Sequence, residues 1–151
     1  MAKERAMESE KKYYLPEGLP YPRAQRSGLD KEFWEAAKRH QLMVQRCNGC
    51  GAFQWGPEVI CHKCHSFDLG WHKVSGRGRL HSWVRCWNPV HPALKTACPY
   101  IVAVVELPDA HHVRMVGNLL GDPMQNPPFD AEVEAVFEDH PHATLVQWRV
   151  V

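Results

Sequence analysis

The sequence contains no apolar run that approaches the ~20 residues needed for a transmembrane helix. Its first segment, MAKERAMESEKKYY, is too charged to be the apolar core of a signal peptide. We therefore expect a protein that works in the cytoplasm and does not enter a membrane. Because the cytoplasm is reducing, closely paired cysteines would indicate a metal site before they indicate a disulfide.

The chain also lacks the length of a large two-domain enzyme and lacks a strong excess of charge. Its 151 residues match one domain, or two very small ones that share an interface. The formal net charge is +1, and residues 76–151 hold six Lys or Arg against eight Asp or Glu. This slightly acidic half argues against a broad nucleic-acid surface.

What the sequence does contain is a doubled CxxC pattern, which predicts a metal site. Each CxxC turn places two sulfurs on one side of a tight knuckle, so four thiolates can hold one tetrahedral metal. A closed four-sulfur shell leaves no position for water or substrate, so we expect structural zinc, with iron as the alternative. The other two cysteines, Cys86 and Cys98, are predicted to be buried and unreactive. The predicted metal ligands are Cys47, Cys50, Cys61 and Cys64.

The residues between the cysteines favour a tight turn in the first pair more than in the second. Asn48, Gly49 and Gly51 tolerate the left-handed turn conformations that bulky residues resist. The second pair, CHKCH, has no glycine after its last cysteine. His62 and His65 could in principle replace a sulfur, but four cysteines already close the shell. We therefore predict both histidines to be surface residues.

Two segments without strand character precede the cysteines. Residues 1–28 hold three prolines and three tyrosines without periodicity, which predicts an irregular extended arm, with a solvated tail as the alternative. Residues 29–42 contain LDKEFWEAAKRHQ, which predicts a helix with Asp30 as N-cap and an apolar face around Phe33 and Trp34. We expect arm and helix to dock on a partner, because they lack enough local sequence to enclose their aromatic residues. The alternative for the helix is packing on its own domain.

After the cysteines the pattern changes to period two, which predicts β-strands. Strand-length segments rich in β-branched and aromatic residues are separated by Pro, Gly, Asp or Asn. Five strands in this space fit a small barrel. Gly76 and Gly78 open the first strand, where such a barrel bends sharply. The segments are 76–87, 99–107, 111–119, 131–139 and 143–150.

The order of these features resembles the DUF35 family, whose members pair a rubredoxin-like zinc ribbon with an OB-fold. The resemblance covers about residues 29–140 and rests on LMVQRCNGCG, CHKC, VSGRGRLHSWVRCWNPVHPA, PYIVAVVEL, VGNLLGD and VEAVFED. Together with the arm, helix and strands predicted above, it gives a mainly β chain with an arm at 1–28, a helix at 29–42, a zinc ribbon at 43–75 and a five-stranded OB-fold barrel at 76–151. One departure concerns the second knuckle, which in the family usually reads CPxCG, whereas here His65 follows Cys64.

The resemblance implies an accessory role in acyl-CoA metabolism. Members of the family bind thiolases, and some members form complexes with hydratases or aldolases instead. We expect a non-catalytic subunit in a hetero-oligomer with a thiolase-like catalytic subunit, since the chain shows no activated nucleophile with an oxyanion hole. The alternatives are an accessory subunit of an acyl-CoA hydratase or aldolase, and a nucleic-acid-binding protein. A free-standing enzyme built on EDHPHA (138–143) is a further alternative, although a solvated turn explains that cluster better.

The first predicted strand and the loop after it supply candidate contacts to an acyl-CoA thioester. Unbroken alternation would place Arg77, Arg79, Trp83, Arg85 and Trp87 on one side, opposite Leu80, Ser82 and Val84. Cations beside aromatic rings suit the phosphates and adenine of coenzyme A, although the same face could be a protein interface. His91 and Lys95 follow in the loop. The candidate cofactor-binding residues are Arg77, Arg79, Trp83, Arg85 and Lys95.

Overall fold

The computed structural model describes residues 12–25 and 27–151, so residues 1–11 of the predicted arm lie outside the described part. Within that part no helix is long and apolar enough to cross a membrane. Two short 3-10 helices, Pro92–Leu94 and Pro108–Ala110, lie in loops. The α-helix and the strands are α1 Lys31–Lys38, β1 Leu42–Cys47, β2 Phe53–Gln54, β3 Leu69–Val74, β4 Arg77–Cys86, β5 Tyr100–Leu107, β6 Val113–Asn118, β7 Glu132–Asp139 and β8 Thr144–Val150.

The first three strands form a small antiparallel sheet in the order β2-β1-β3. The central strand pairs along its whole length with β3, from Leu42 opposite Val74 to Cys47 opposite Leu69. Two residues of β2, Phe53 and Gln54, pair with its other edge. The sheet therefore holds Cys47 at a strand end, where the first cysteine turn begins.

The other five strands form a second antiparallel sheet in the order β6-β5-β4-β7-β8. A parallel bridge between Leu119 and Trp148 brings the two outer strands together, so the sheet curls into a barrel. Trp148 is fully buried, and Gly117 leaves room for it, since a Cβ there would lie 2.8 Å from Trp148 Cδ1. This is the five-stranded OB-fold topology. The prediction of a mainly β chain with a short helix, a zinc-ribbon sheet and an OB-fold is confirmed.

The first strand of the barrel contains a β-bulge that sequence alternation did not anticipate. The register with β5 shifts between Leu80 and Ser82, so one extra residue, His81, changes which side the following residues face. Leu80 is buried before the bulge. After it, Trp83 pairs with the buried Ala103.

Because of the bulge, the prediction that the arginines and tryptophans of β4 share one side of the sheet is wrong. Arg85 pairs with the buried Ile101 and therefore lies on the inner side of the sheet, as Trp83 does. Val84 pairs with Val102 on the outer side, where Arg77 and Arg79 lie before the bulge. The predicted surface is thus divided between the two sides of the sheet.

The helix packs its apolar face on its own domain, as one of the two interpretations above predicted, so this face does not dock on a partner. Phe33, Ala36 and Ala37 are buried, and the Phe33 ring lies 4.6 Å from the Trp55 ring, centroid to centroid. Asp30 precedes the helix as predicted, but its side chain does not cap it. Its carboxylate instead accepts the backbone N–H of Gln25 at 2.8 Å and the indole N–H of Trp34 at 3.0 Å.

The described part of the arm also packs on its own chain, against the barrel. Tyr13 is buried, and its ring stacks on His140 with 3.9 Å between centroids. Tyr14 donates its backbone N–H to the Glu138 carboxylate at 3.0 Å, and its hydroxyl accepts the backbone N–H of Ile101 at 3.2 Å. The interpretation of this segment as a solvated tail is wrong for Tyr13 and Tyr14, because the barrel buries the first and half-buries the second. Docking of the arm on a partner stays a prediction.

Candidate functional site

The four cysteines of the CxxC pairs come together in the ribbon. Their sulfurs all lie within 4.8 Å of one another, with 3.6 Å between Cys47 and Cys64 and 3.7 Å between Cys50 and Cys61. A tetrahedral zinc with Zn–S bonds of ~2.3 Å requires sulfurs about 3.8 Å apart. The donor set and its spacing therefore fit one zinc ion in a closed shell.

The first knuckle follows directly from the end of β1. The backbone N–H of Cys50 points at the Cys47 sulfur at 3.5 Å, and Gly51 donates to the Cys47 carbonyl at 2.9 Å. Gly51 has φ = 76°, a left-handed conformation that a glycine adopts without steric cost. The turn thus aims a backbone N–H at the Cys47 sulfur and folds the chain back on itself after Cys50.

The second knuckle has the same geometry despite its different sequence. Lys63 N–H points at the Cys61 sulfur at 3.4 Å, and His65 N–H bonds the Cys61 carbonyl at 3.0 Å. His65 has φ = 60°, so it takes the left-handed conformation that Gly51 takes in the first knuckle. The departure from the family's glycine therefore changes the residue and not the turn.

The electrostatics of the second knuckle favour ionisation of Cys61. The backbone N–H of Cys64 and then that of Lys63 lower the pKa of the Cys61 thiol to about 6. Cys61 is fully buried, whereas Cys64 is exposed. One side of the cluster is therefore enclosed by the ribbon and the other faces solvent.

A buried glutamine pair, which sequence analysis missed, connects the two knuckles. Gln45 of β1 and Gln54 of β2 lie opposite each other, and the Gln54 side-chain amide donates to Gln45 Oε1 at 2.6 Å. Gln45 also bonds the backbone of Glu58 in both directions, at 2.9 and 3.0 Å. The pair thus holds the loop that leads to the second knuckle. The only signal in the sequence was a glutamine beside apolar residues in each of two short segments, LMVQRC and FQ.

His62 is held by the same pair, although its ring is exposed as predicted. Gln54 Oε1 accepts the backbone N–H of His62 at 3.0 Å and faces its Nδ1 at 2.9 Å. Because an amide oxygen can only accept, the Nδ1 of His62 carries the proton. Gln54 therefore fixes the position of His62, the residue that follows Cys61.

The candidate acyl-CoA contacts on the inner side of β4 are engaged within the chain. Trp83 donates its indole N–H to the Pro127 carbonyl at 3.1 Å. Arg85 donates to the carbonyls of Pro123 and Gln125 at 2.8 and 2.6 Å and to the Asn126 side chain at 3.0 Å. These two residues therefore fasten the proline-rich loop 121–130 to the barrel.

The other three candidates lie elsewhere. Arg77 lies 3.7 Å from Glu132 and 4.0 Å from Glu134, while Arg79 donates to the Asp130 carbonyl at 3.3 Å. Lys95 is exposed and follows the 3-10 helix Pro92–Leu94. The structure therefore does not bring the five predicted cofactor-binding residues onto one surface.

The acidic and histidine residues of EDHPHA hold the arm and helix to the barrel. Glu138 lies 2.6 Å from His140, whose side chain is only 9% exposed, and Asp139 lies 2.8 Å from His40 of the segment after α1. The interpretation of this cluster as a solvated turn is wrong for Glu138 and His140. Cys86 and Cys98 are half-buried rather than fully enclosed.

Comparisons with known proteins identify both halves of this arrangement. Residues 34–70 match the "ChsH2, rubredoxin-like zinc ribbon domain" model, and residues 71–138 match the "ChsH2, C-terminal OB-fold domain" model. A "DUF35 domain-containing scaffold protein" of Methanothermobacter thermautotrophicus is 31% identical over 101 residues, covering 66% of this chain and 74% of that protein. The chain belongs to the DUF35 family.

Two further relatives are described as hydratase subunits. A "Probable enoyl-CoA hydratase alpha subunit" of Thermomonospora curvata is 40% identical over 93 residues, 61% of this chain and 28% of that protein. The "3-oxo-4,17-pregnadiene-20-carboxyl-CoA hydratase alpha subunit" of Mycobacterium tuberculosis is 31% identical over 120 residues, 78% of this chain and 36% of that protein. The DUF35 chain described here thus spans only about a third of each of these two relatives.

A solved DUF35 structure matches over nearly its whole length. It is described as "Ltp2-ChsH2(DUF35) aldolase" and is 31% identical, with a TM-score of 0.75. The match covers 86% of this chain and 98% of that one. The ribbon and the OB-fold therefore recur together in that structure.

Proposed function

We propose that this DUF35 chain is a non-catalytic accessory subunit of an acyl-CoA-processing complex, and that its catalytic partner is a hydratase subunit or a thiolase-like aldolase. The observation that carries the proposal is the match to the chain of the Ltp2-ChsH2(DUF35) aldolase, of which 98% is covered. The two hydratase alpha subunits support the same class of substrate. The thiolase partner expected from the sequence receives no specific support.

A narrower version keeps the accessory role but makes the partner a thiolase. In that version this chain is the small subunit of benzoylsuccinyl-CoA thiolase, which it resembles in its short length and its aromatic-rich arm. Neither feature separates a thiolase partner from an aldolase partner. The described arm residues Tyr13 and Tyr14 also pack on the barrel, so they no longer argue for contact with a thiolase. We therefore keep the broader proposal.

Within this proposal the metal has a structural role. The residues that would hold zinc are Cys47, Cys50, Cys61 and Cys64, and a closed four-sulfur shell supplies folding free energy rather than chemistry. The ribbon is too small to fold on its own core, so ligation stabilises it against unfolding. We expect one equivalent of zinc per chain, and elemental analysis that finds neither zinc nor iron after purification without chelator would contradict it.

Affinity purification of the tagged full-length chain from its own cells tests the proposed function. We expect an acyl-CoA hydratase or aldolase subunit in the eluate at a fixed ratio that persists through size-exclusion chromatography. A thiolase in the same position would favour the narrower version. Absence of any acyl-CoA enzyme, combined with salt-sensitive binding to a random oligonucleotide, would overturn the proposal in favour of a nucleic-acid protein.

A further inference from the structure

The barrel is only partly closed between its two outer strands. One parallel bridge, between Leu119 and Trp148, joins β6 to β8, and Leu120 donates its backbone N–H to the Trp148 carbonyl at 2.7 Å. One residue earlier, the backbone N–H of Asn118 donates to the side chain of Gln147 at 2.8 Å instead of to backbone. Among the described residues no backbone hydrogen bond joins the earlier part of β6 to β8. The two strands therefore leave an opening beside the N-terminal part of β6.

A cavity of 280 Å³ occupies this opening. Met115 and Trp148 line it from the barrel, Phe33 and Trp34 line it from α1, and Trp55 lines it from the segment after β2. No Lys, Arg, His, Asp or Glu of the described part of the chain belongs to its wall. The cavity is therefore uncharged and mostly aromatic, which suits the faces of an apolar ring.

The indole N–H of Trp148 is an unpaired donor at this cavity. Trp148 is fully buried, and its Nε1 has no hydrogen-bond partner among the described residues. The edge of the indole that carries Nε1 lies against Gly117, which also lines the cavity, since a Cβ built on Gly117 would be 2.8 Å from Cδ1 and 3.0 Å from Nε1. Because a buried donor without an acceptor is unfavourable, an occupant that supplies an acceptor is favoured over one that does not.

The size and polarity of the cavity limit what it can hold. An apolar cavity of ~150 Å³ in another protein binds benzene, so 280 Å³ has room for one ring with a small substituent. An ion would be buried without a charged partner, which is strongly unfavourable. The coenzyme A part of a thioester is excluded for the same reason, because its phosphates are anionic. A pure hydrocarbon would leave the Trp148 N–H unpaired.

We propose that this cavity binds a small uncharged cyclic molecule with one carbonyl oxygen, and that this oxygen accepts the indole N–H of Trp148. A carbonyl oxygen is an acceptor without charge, so it satisfies the donor at no cost in buried charge. The ring packs between side chains of α1, the ribbon and the barrel, so the bound molecule contacts all three parts of the chain. The site is independent of the proposed function, since its ligand is not an acyl-CoA.

Cyclohexanone and methylenecyclohexane are matched probes of this site, because the second replaces the carbonyl oxygen by a methylene group and keeps the ring. Proton–nitrogen correlation NMR of the isotope-labelled full-length chain resolves the indole N–H groups of its six tryptophans. We expect cyclohexanone to move the Trp148 indole resonance downfield, because the N–H gains an acceptor. Methylenecyclohexane should bind ~tenfold more weakly, because it leaves that N–H unpaired.

Two tryptophan variants separate the indole N–H from the shape of the cavity. Trp148→Phe removes the donor, and we expect it to bind the two probes equally. Trp83→Phe is the matched control, because the Trp83 N–H already donates to the Pro127 carbonyl at 3.1 Å and Trp83 does not line the cavity. It should keep the ~tenfold preference for cyclohexanone. If Trp148→Phe does not fold, the wild-type spectra with the two probes decide the question.

Three outcomes would overturn the proposal. Equal affinity of the wild type for both probes would mean that the cavity selects by shape alone and that the Trp148 N–H has no role. An unmoved Trp148 resonance with both probes, up to their solubility, would mean that the cavity holds water only. A preference for cyclohexanone that persists in Trp148→Phe would assign the hydrogen bond to another donor. The affinity purification described above tests the proposed function separately.

Discussion

Gln54 and His62 are joined twice through one oxygen atom. Oε1 of Gln54 accepts the backbone N–H of His62 at 3.0 Å and its ring Nδ1–H at 2.9 Å. The side-chain amide of Gln54 also donates to Gln45 at 2.6 Å and to the Ile60 carbonyl at 3.2 Å. One buried side chain thus links the ribbon sheet to the segment that carries Cys61.

We predict that Gln54→Leu releases zinc faster without altering the ligands. The substitution leaves the buried oxygen of Gln45 and the N–H of His62 with fewer partners, which costs about 1–3 kcal/mol. Transfer of zinc to a chelating dye, followed by absorbance, measures the rate. Gln25→Leu, at an exposed position in the arm, is the control. Equal rates in wild type and Gln54→Leu would show that the glutamine pair does not hold the knuckle.

The matched turn residues Gly51 and His65 should respond in opposite directions to substitution. Both have left-handed φ, at 76° and 60°. Gly51→Ala introduces a Cβ into that conformation and should destabilise the ribbon by about 1 kcal/mol, whereas His65→Gly should raise its stability by up to about 1 kcal/mol. Thermal unfolding of the zinc-loaded chain checks both signs. A loss of stability in His65→Gly would mean that the histidine ring contributes more than its backbone strain costs.

Arg85→Ala tests whether this side chain fastens a loop or contacts ligand. Since its guanidinium donates to Pro123, Gln125 and Asn126, we expect about 2–3 kcal/mol lower stability and faster proteolysis within 121–130. Lys95→Ala, at an exposed position, should change neither property. An Arg85→Ala chain that is fully stable but raises the acyl-CoA KM of the assembled enzyme would restore the ligand-binding interpretation.

The pH dependence of stability should reveal the contact between Asp139 and Thr144. The Thr144 hydroxyl, and then His40, lower the pKa of Asp139 below its ordinary value of 3.8. A lowered folded-state pKa adds stability that is fully present above 3.8 and is lost as the pH falls through the folded value. The stability difference between wild type and Thr144→Val should therefore be constant from neutral pH down to the unfolded pKa and shrink below it. A difference that stays constant in acid would exclude this contact.

Local patterns predicted the strands and the cysteine cluster. Each barrel strand alternates over several residues, and the CxxC spacing by itself brings thiols together, so both follow from neighbours in sequence. The bulge at His81 was not predictable in this way, because the extra residue is accommodated only by the curvature of the barrel. One inserted residue moved Trp83 and Arg85 from the predicted surface to the inner side.

Contacts between distant residues explain the other wrong predictions. Tyr14 bonds Glu138, which lies 124 residues later, so nothing near the arm indicated what would cover it. The Gln45–Gln54 pair depends on the register of β1 against β2, which the sequence does not specify. Both features come from tertiary structure that overrides a local pattern.

Turnover of an acyl-CoA substrate by separated and recombined subunits tests whether this chain is a non-catalytic accessory subunit. We expect no turnover by this chain alone, and a complex with its catalytic subunit that is more stable or more active than that subunit alone. Turnover by the purified chain without a partner, or a catalytic subunit whose stability and activity are unchanged by adding it, would contradict the proposed function.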